Sequence, residues 1–130
     1  MLASGKGRSN VNDGAGRPPK PDVGSSAFFA LDIRVGRVLE VEAFPEARKP
    51  AWKLRVDFGP QVGELRTSAQ VTNFSREQLL GRLVVGAVNL GPKRIAGFVS
   101  QFLILGATRP DGTVLLLDVP SGAEPGDPVE

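Results

Sequence analysis

The segment AWKLRVDFG places the strongest single constraint on the fold, because apolar and polar residues alternate along it without a break. Successive side chains of a β-strand point to opposite faces, so one face of this segment is apolar and the other is polar. The apolar face comprises Trp52, Leu54, Val56 and Phe58, and the polar face comprises Lys53, Arg55 and Asp57. Such a strand needs a sheet that covers only one of its faces, which predicts a β-protein.

Several other segments have the character of strands. LRTSAQV alternates in the same way, with Leu65, Thr67, Ala69 and Val71 opposite Arg66, Ser68 and Gln70. The remaining predicted strands are DIRVGRVLEVEAF, RLVVGAVNL, FVSQFLILGA and TVLLLDV. Gly36 and Gly86 lie inside two of these strands, and Gly36 is predicted to mark a β-bulge or a sharp bend.

One complete helix signal lies between the third and the fourth predicted strands. In FSREQLLG, Ser75 and Gln78 have the spacing of a capping box, and Gly81 follows as a C-terminal stop. Phe74 and Leu79 fit the hydrophobic staple that often accompanies such a box. The segment is therefore predicted to form a short helix in mid-chain.

The order of these elements predicts the fold class. A curled five-stranded Greek-key barrel with one helix between its third and fourth strands is the OB-fold pattern. Glycines inside strands allow a small sheet to curl and close. We therefore predict an all-β protein built on an OB-fold barrel, with one short helix between strands 3 and 4 and with helix and strand extensions. The commonest activity of this barrel is binding to nucleic acid.

Composition divides the chain into two parts. Residues 1–23 are rich in Gly, Pro, Ser and Asn and are predicted to be a disordered N-terminal tail, whereas residues 24–130 form the folded domain. The tail holds four cations against two anions, and the rest of the chain holds twelve of each. The formal net charge of +2 therefore lies in the tail. A polyanion could bind the folded part only through a local arrangement of cations.

The residue types argue against catalysis. The chain has no cysteine and no histidine, which removes disulfides, the usual zinc ligands and the commonest general base. Glu40 and Glu42 share a strand face, but they are interpreted as solvated because no other catalytic group accompanies them. We predict no enzyme activity, no metal and no cofactor. No apolar run has membrane-spanning length, so a cytoplasmic protein with no membrane partner is expected.

Two groups of cations are candidate phosphate-binding residues. Lys93 and Arg94 follow a Gly-Pro turn that restricts their backbone, and the alternative is an ordinary solvated turn. Arg48 and Lys49 lie in a predicted loop that leads to Lys53 and Arg55 on the polar strand face. This second group could equally be a solvated surface balanced by neighbouring acids.

The aromatic residues favour a structured RNA over a single strand. Trp52 is predicted to pack inward, so only Phe44 and Phe98 are candidates for exposed rings. Binding to single strands usually relies on stacking against several such rings. Recognition of a folded RNA by its shape and backbone is therefore favoured.

The apolar residues exceed what a lone small barrel can bury. FLILGA and TVLLLDV are continuous apolar runs, which is typical of strands covered on both faces. The cover could be a second copy of the chain, an unfolded peptide held in an apolar groove, or the N-terminal segment SSAFFALDI. That segment is predicted to form a helical turn capped by Ser25 or Ser26, with Phe28 and Phe29 on its apolar side.

Blocks of the sequence resemble a known family over residues 27–130. The blocks are DIRVGRVLEVEAFPEARKPAWKLRVDFG, TSAQVT and VNLGPKRIAGFVSQFLILGA. They are similar to the tRNA-binding OB domain, and specifically to its stand-alone CsaA type. The resemblance implies a homodimeric OB barrel that binds tRNA and has a chaperone-like activity linked to secretion. It also implies a role for Ser100, whereas Val99 and Gln101 depart from the family pattern.

The function expected from the sequence is therefore non-catalytic tRNA binding with chaperone-like activity. The expected nucleic-acid-binding residues are Lys49, Lys53, Arg55, Lys93, Arg94 and Ser100. The partners are tRNA or another structured RNA, and possible further ligands are unfolded or precursor polypeptides. The alternatives are an export chaperone that binds unfolded peptides through an apolar groove, and a module that tethers a larger RNA enzyme.

Overall fold

The computed structural model describes residues 16–130, which contain two short helices and nine strands. In chain order they are α1 (Ser25–Phe29), β1 (Ile33–Ala43), β2 (Trp52–Asp57), β3 (Glu64–Ala69), α2 (Arg76–Leu79), β4 (Leu83–Ala87), β5 (Lys93–Ile95), β6 (Phe98–Ser100), β7 (Leu103–Ile104), β8 (Gly106–Thr108) and β9 (Val114–Leu116). Residues 16–23 belong to none of these elements and are all exposed. The rest of the predicted tail, residues 1–15, lies outside the described residues.

Five strands form an antiparallel sheet in the order β3-β2-β1-β4-β7. The two edges of this sheet approach each other, because the hydroxyl of Thr67 on β3 donates to the carbonyl oxygen of Phe102 at 2.8 Å, one residue before β7. The result is a nearly closed barrel with α2 between β3 and β4, which confirms the predicted OB fold. The hairpins β5–β6 and β8–β9 extend the barrel.

The centre of the barrel is filled by an aromatic pair. Phe58 and Phe102 are fully buried and pack edge to face, with ring centroids 4.8 Å apart. Glycines make room for them: a Cβ atom on Gly36 would lie 2.8 Å from the Phe58 ring, and one on Gly86 would lie 2.8 Å from the Phe102 ring. Real Cβ atoms do not approach carbon this closely, so both positions need glycine on steric grounds.

The sequence predicted a bulge or a sharp bend at Gly36, but the bulge in β1 lies elsewhere. Gly36 pairs regularly with Val84 on β4, and the register against β2 shifts instead between Val38 and Glu40. The extra residue changes which residues point inward along the rest of the strand. Glu40 therefore lies on the outer face with Glu42 instead of pointing into the barrel.

The two helices differ in how well their ends were predicted. The capping box of α2 is confirmed, since the Ser75 hydroxyl accepts from the Gln78 amide and the Gln78 side chain accepts from the Ser75 amide. Gly81 has the positive φ of a C-terminal stop. The predicted serine cap of α1 is wrong: Gly24 occupies the cap position, and no side chain bonds to the helix end.

The predicted strand FVSQFLILGA is divided into β6, β7 and β8. These three pieces pair with different neighbours, namely β5, β4 and β9. One segment thus crosses from the hairpin to the barrel and on to the second hairpin. Among residues 16–130, no helix has the length and apolar character needed to cross a membrane.

The packing of the aromatic pair leads to a prediction about Gly86. Gly86→Ala is expected to lower the free energy of unfolding by about 1–3 kcal/mol, because the added methyl group forces apart the Phe58 and Phe102 rings. Urea unfolding followed by tryptophan fluorescence would measure the change.

Gly122→Ala is the matched control, because nothing lies within 4 Å of its added methyl group. Its stability is expected to stay within about 0.5 kcal/mol of the unmodified chain. Equal stability of the two variants would contradict the steric role of Gly86.

Candidate nucleic-acid interface

The outer face of β1, β2 and β3 carries charged side chains in cross-strand rows. Arg55 on β2 lies opposite Glu40 on β1 and Arg66 on β3. The next outward position of β2, Lys53, lies opposite Glu42 on β1. The predicted alternation of β2 is thereby confirmed, and its basic face borders acids on β1.

Arg55 is held by two carboxylates. Its Nε atom lies 3.1 Å from Oε1 of Glu40, and its Nη1 atom lies 2.7 Å from Oε1 of Glu64. The hydrogen bond to Glu40, followed by that to Glu64, raises the pKa of the Arg55 guanidinium. The sequence suggested that Glu40 is merely solvated, but it is ion-paired. Arg55 is therefore locally neutralised.

Lys53 makes a different kind of contact. Its Nζ atom lies 4.9 Å from the ring centroid of Phe44 and 5.4 Å from that of Phe98, within the range of a cation–π interaction. The two rings also touch each other, with centroids 5.5 Å apart. Phe44 is only 5% exposed, so the expectation of an exposed ring there is wrong, whereas Phe98 is half-buried.

The contact between Phe44 and Phe98 joins two loops of the barrel. Phe44 begins the loop between β1 and β2, which carries the exposed Arg48 and Lys49. Phe98 begins β6 in the hairpin that also carries Lys93 and Arg94. The loop cations Arg48 and Lys49 and the hairpin cations Lys93 and Arg94 therefore belong to segments that meet at this ring contact.

In the β5–β6 hairpin, the side chains of Lys93 and Arg94 point to opposite faces. Its turn residues Ala96 and Gly97 both have positive φ, 47° and 82°, as a two-residue type I′ turn requires. Adjacent strand residues point to opposite faces, so Lys93 shares a face with Phe98 and Arg94 does not. Arg94 instead donates to the carbonyl oxygen of Gly97 at 3.3 Å.

Ser100 lies inside the protein. It has no exposed surface, and its hydroxyl accepts from the backbone N–H of Ser68 at 2.9 Å. The same hydroxyl lies 3.3 Å from the Thr67 hydroxyl. Ser68, predicted to face outward, is buried beneath this contact. Ser100 therefore ties the hairpin to β3 and has no surface that RNA could touch.

Gln101 strengthens the same junction. Its backbone N–H donates to the Arg66 carbonyl oxygen at 2.7 Å, and its side-chain oxygen accepts from the Arg66 N–H at 2.9 Å. This departure from the family pattern has a clear structural role here. The neighbouring Val99 is an exposed apolar side chain on the hairpin.

The structure adds Arg66 to the candidate site. Its exposed side chain lies next to Arg55 across β2 and β3, and no ion pair is found for it among residues 16–130. Its position in the alternation of LRTSAQV could have suggested this role, but alternation does not reveal the cross-strand neighbour. Within the same described range, no cluster of three residues suited to a metal ion occurs.

The chain is thus a barrel of the OB class with a partly basic outer face and a basic hairpin. Residues 33–128 match the family described as "Putative tRNA binding domain". The chain belongs to this tRNA-binding-domain family, as its sequence blocks predicted.

Two solved structures place the chain within the family. It is 44% identical to the CsaA chaperone protein from Picrophilus torridus, with a TM-score of 0.79 over 84% of this chain and 100% of the other. It is 39% identical to the chaperone CsaA from Bacillus anthracis, with a TM-score of 0.80 over 85% of this chain and 100% of that one. The predicted resemblance to the CsaA type is confirmed.

The curated relatives are much longer proteins. Methionine–tRNA ligases from Neisseria meningitidis and Xylella fastidiosa are each 37% identical, over 78% and 84% of this chain respectively. The chain spans only 15% and 16% of their lengths. The similarity therefore concerns one domain of these ligases.

The buried position of Ser100 leads to a prediction about stability. Ser100→Ala is expected to lower the free energy of unfolding by about 1–3 kcal/mol, because it removes the buried acceptor of the Ser68 N–H. Ser121→Ala, at an exposed position, is the control. Thermal and urea unfolding would measure both variants, and equal stability would show that the Ser100 hydroxyl does not tie the hairpin to β3.

Proposed function

We propose that this protein binds tRNA, or a similarly structured RNA, through the outer face of β1–β3 and the β5–β6 hairpin. The observation that carries the proposal is the meeting of two cation-bearing segments at the Phe44–Phe98 contact. The family match to a tRNA-binding domain supports it. Binding alone accounts for this function, without catalysis or a cofactor, and it would take place in the cytoplasm.

The cations have unequal roles in the proposed complex. Lys49, Lys93 and Arg94 are exposed and make no ion pair with another described residue, so they are the readiest partners for phosphates. Lys53 would bind a phosphate from its fixed position over the rings. Arg55 would have to exchange a carboxylate for the phosphate, which weakens its net contribution.

Ser100 would contribute to RNA binding only indirectly. Because it is buried against β3, it would hold the hairpin, and with it Lys93, in the geometry that the RNA meets. It would not bind RNA itself. Arg66 joins the proposed phosphate-binding residues because it is exposed on the same face.

A second copy of the chain is proposed to cover the apolar surface around α1. This helix buries none of its own residues, and Phe28 and Phe29 are 43% and 68% exposed. Val129, near the C-terminus, is also exposed and lines the same depression as α1. A symmetric dimer would bury this patch and present two RNA-binding faces, which raises the overall affinity for one large RNA.

A substitution of Phe29 tests the proposed dimer interface. Phe29→Glu is expected to halve the mass measured by light scattering, because a charge would have to be buried at the interface. The monomer should remain folded, since Phe29 contributes nothing to the barrel core. Its affinity for tRNA should fall by roughly a hundredfold or more if two faces act together. An unchanged mass would contradict the proposed interface.

The hairpin cations provide the test of RNA binding. Replacing both Lys93 and Arg94 by Ala is expected to lower the slope of log affinity against log salt by about two, close to one unit for each phosphate that is no longer neutralised. The measurement is a tRNA titration at several salt concentrations.

A double variant with Lys20→Ala and Arg109→Ala is the control, because it removes the same charge from exposed positions outside the proposed interface. Its salt slope should stay close to that of the unmodified chain. An equal decrease in both double variants would show that only bulk charge matters.

Chaperone-like binding of unfolded polypeptides is the second candidate function. The exposed apolar side chains around α1 and on β9, where Leu115 is 46% exposed, favour it. The solved CsaA neighbours are described as chaperones, which is consistent with it. A role in export would rest on the same surface. Peptide binding through apolar contacts should persist at high salt, whereas tRNA binding should not.

A further inference from the structure

The face proposed to bind RNA carries acids as well as cations. Around Arg55 on β2, the outward side chains of β1 and β3 include three carboxylates, those of Glu40, Glu42 and Glu64. A carboxylate repels phosphate, so acids on such a face lower its affinity for every polyanion. Phosphate binding alone does not account for them.

Arg55 lies between two of these acids, on the middle one of the three strands. Its Nη1 atom lies 2.7 Å from Oε1 of Glu64 on β3, and its Nε atom lies 3.1 Å from Oε1 of Glu40 on β1. Nη1 is a terminal nitrogen of the guanidinium, one of those that bind phosphate oxygens in Arg–phosphate pairs. Glu64 therefore occupies a donor that an RNA phosphate would need.

Glu64 contributes little to the stability of the sheet. It lies directly opposite Asp57 in the register of β2 and β3, and like charges in this arrangement are destabilising. Its side chain is 53% exposed, so its contact with Arg55 is a surface ion pair, a kind that adds little stability. The carboxylate can therefore leave Arg55 for water at low cost when a phosphate takes its place.

We propose that Glu64 is a specificity-determining residue, which masks Arg55 from polyanions in general and releases it to an RNA whose phosphates fit the loop and hairpin cations; this inference rests on the proposed RNA-binding function. A loosely bound polyanion meets Arg55 already paired and gains nothing there. An RNA held by Lys49, Lys93 and Arg94 presents a further phosphate to Arg55 at high effective concentration and displaces the acid. Discrimination then comes from the cost that the acid imposes on unmatched partners.

The experiment compares tRNA with a DNA duplex that has the same number of phosphates. Glu64→Gln removes the charge but keeps an oxygen that can accept from Arg55, so the chain should stay folded, which thermal melting checks. For the duplex, the slope of log affinity against log salt should steepen by about one, because Arg55 becomes a free cation. For tRNA, this slope should change by less than about 0.3, since Arg55 already binds a phosphate in that complex. The ratio of tRNA affinity to duplex affinity should fall at least about threefold.

Two further variants show whether the effect depends on Arg55. When Glu64→Gln is combined with Arg55→Ala, the duplex slope should return to that of the unmodified chain, because no freed cation remains. Glu77→Gln on α2 removes the same charge from a helix outside β1–β3, and it should leave both slopes unchanged.

The outcomes separate this inference from the proposed function. An unchanged duplex slope in Glu64→Gln, with tRNA still bound by the unmodified chain, would overturn the inference and leave RNA binding intact. A steeper slope that persists without Arg55, or an equal change in Glu77→Gln, would also overturn it, because either result would show repulsion alone. Failure of the unmodified chain to bind tRNA would overturn both.

Discussion

The edge-to-face contact between Phe58 and Phe102 is the interaction on which the rest of the structure depends. It fills the barrel centre, and the space for it exists because Gly36 and Gly86 have no side chains. The position of Phe102 fixes the carbonyl oxygen that accepts from Thr67 and so closes the barrel. Ser100 and Gln101, immediately before it, are thereby brought against β3, and the hairpin that precedes them is held over the outer face.

This closure determines the character of the candidate interface. Because the hairpin is anchored at Ser100, its Phe98 ring reaches Phe44 at the start of the opposite loop. Lys53 then binds to the two rings and leaves its cross-strand neighbour Glu42 unpaired. The face that results has unpaired cations mainly on its loops and a balanced centre.

Much of the barrel could be predicted from the sequence. The alternation of β2 is local information, and it placed Leu54, Val56 and Phe58 correctly inside. The capping box at Ser75 is equally local, because it joins residues three apart. Gly36 was predicted to mark a bulge or a sharp bend, whereas the structure shows a steric need for glycine there. Its neighbours Val56 and Phe58 belong to another part of the chain, so the steric reason was invisible until the pairing of β1 and β2 was known.

For the site, the sequence by itself determined which cations were available and that histidine and cysteine chemistry was absent. It also determined that Lys53 and Arg55 share one strand face, since this depends only on the two-residue period of a strand. Only the tertiary structure decided that Glu40 and Glu64 neutralise Arg55, that Ser100 is buried, and that Lys93 shares a face with Phe98. These outcomes depend on cross-strand register and on the type of hairpin turn, which bring together residues from distant parts of the chain.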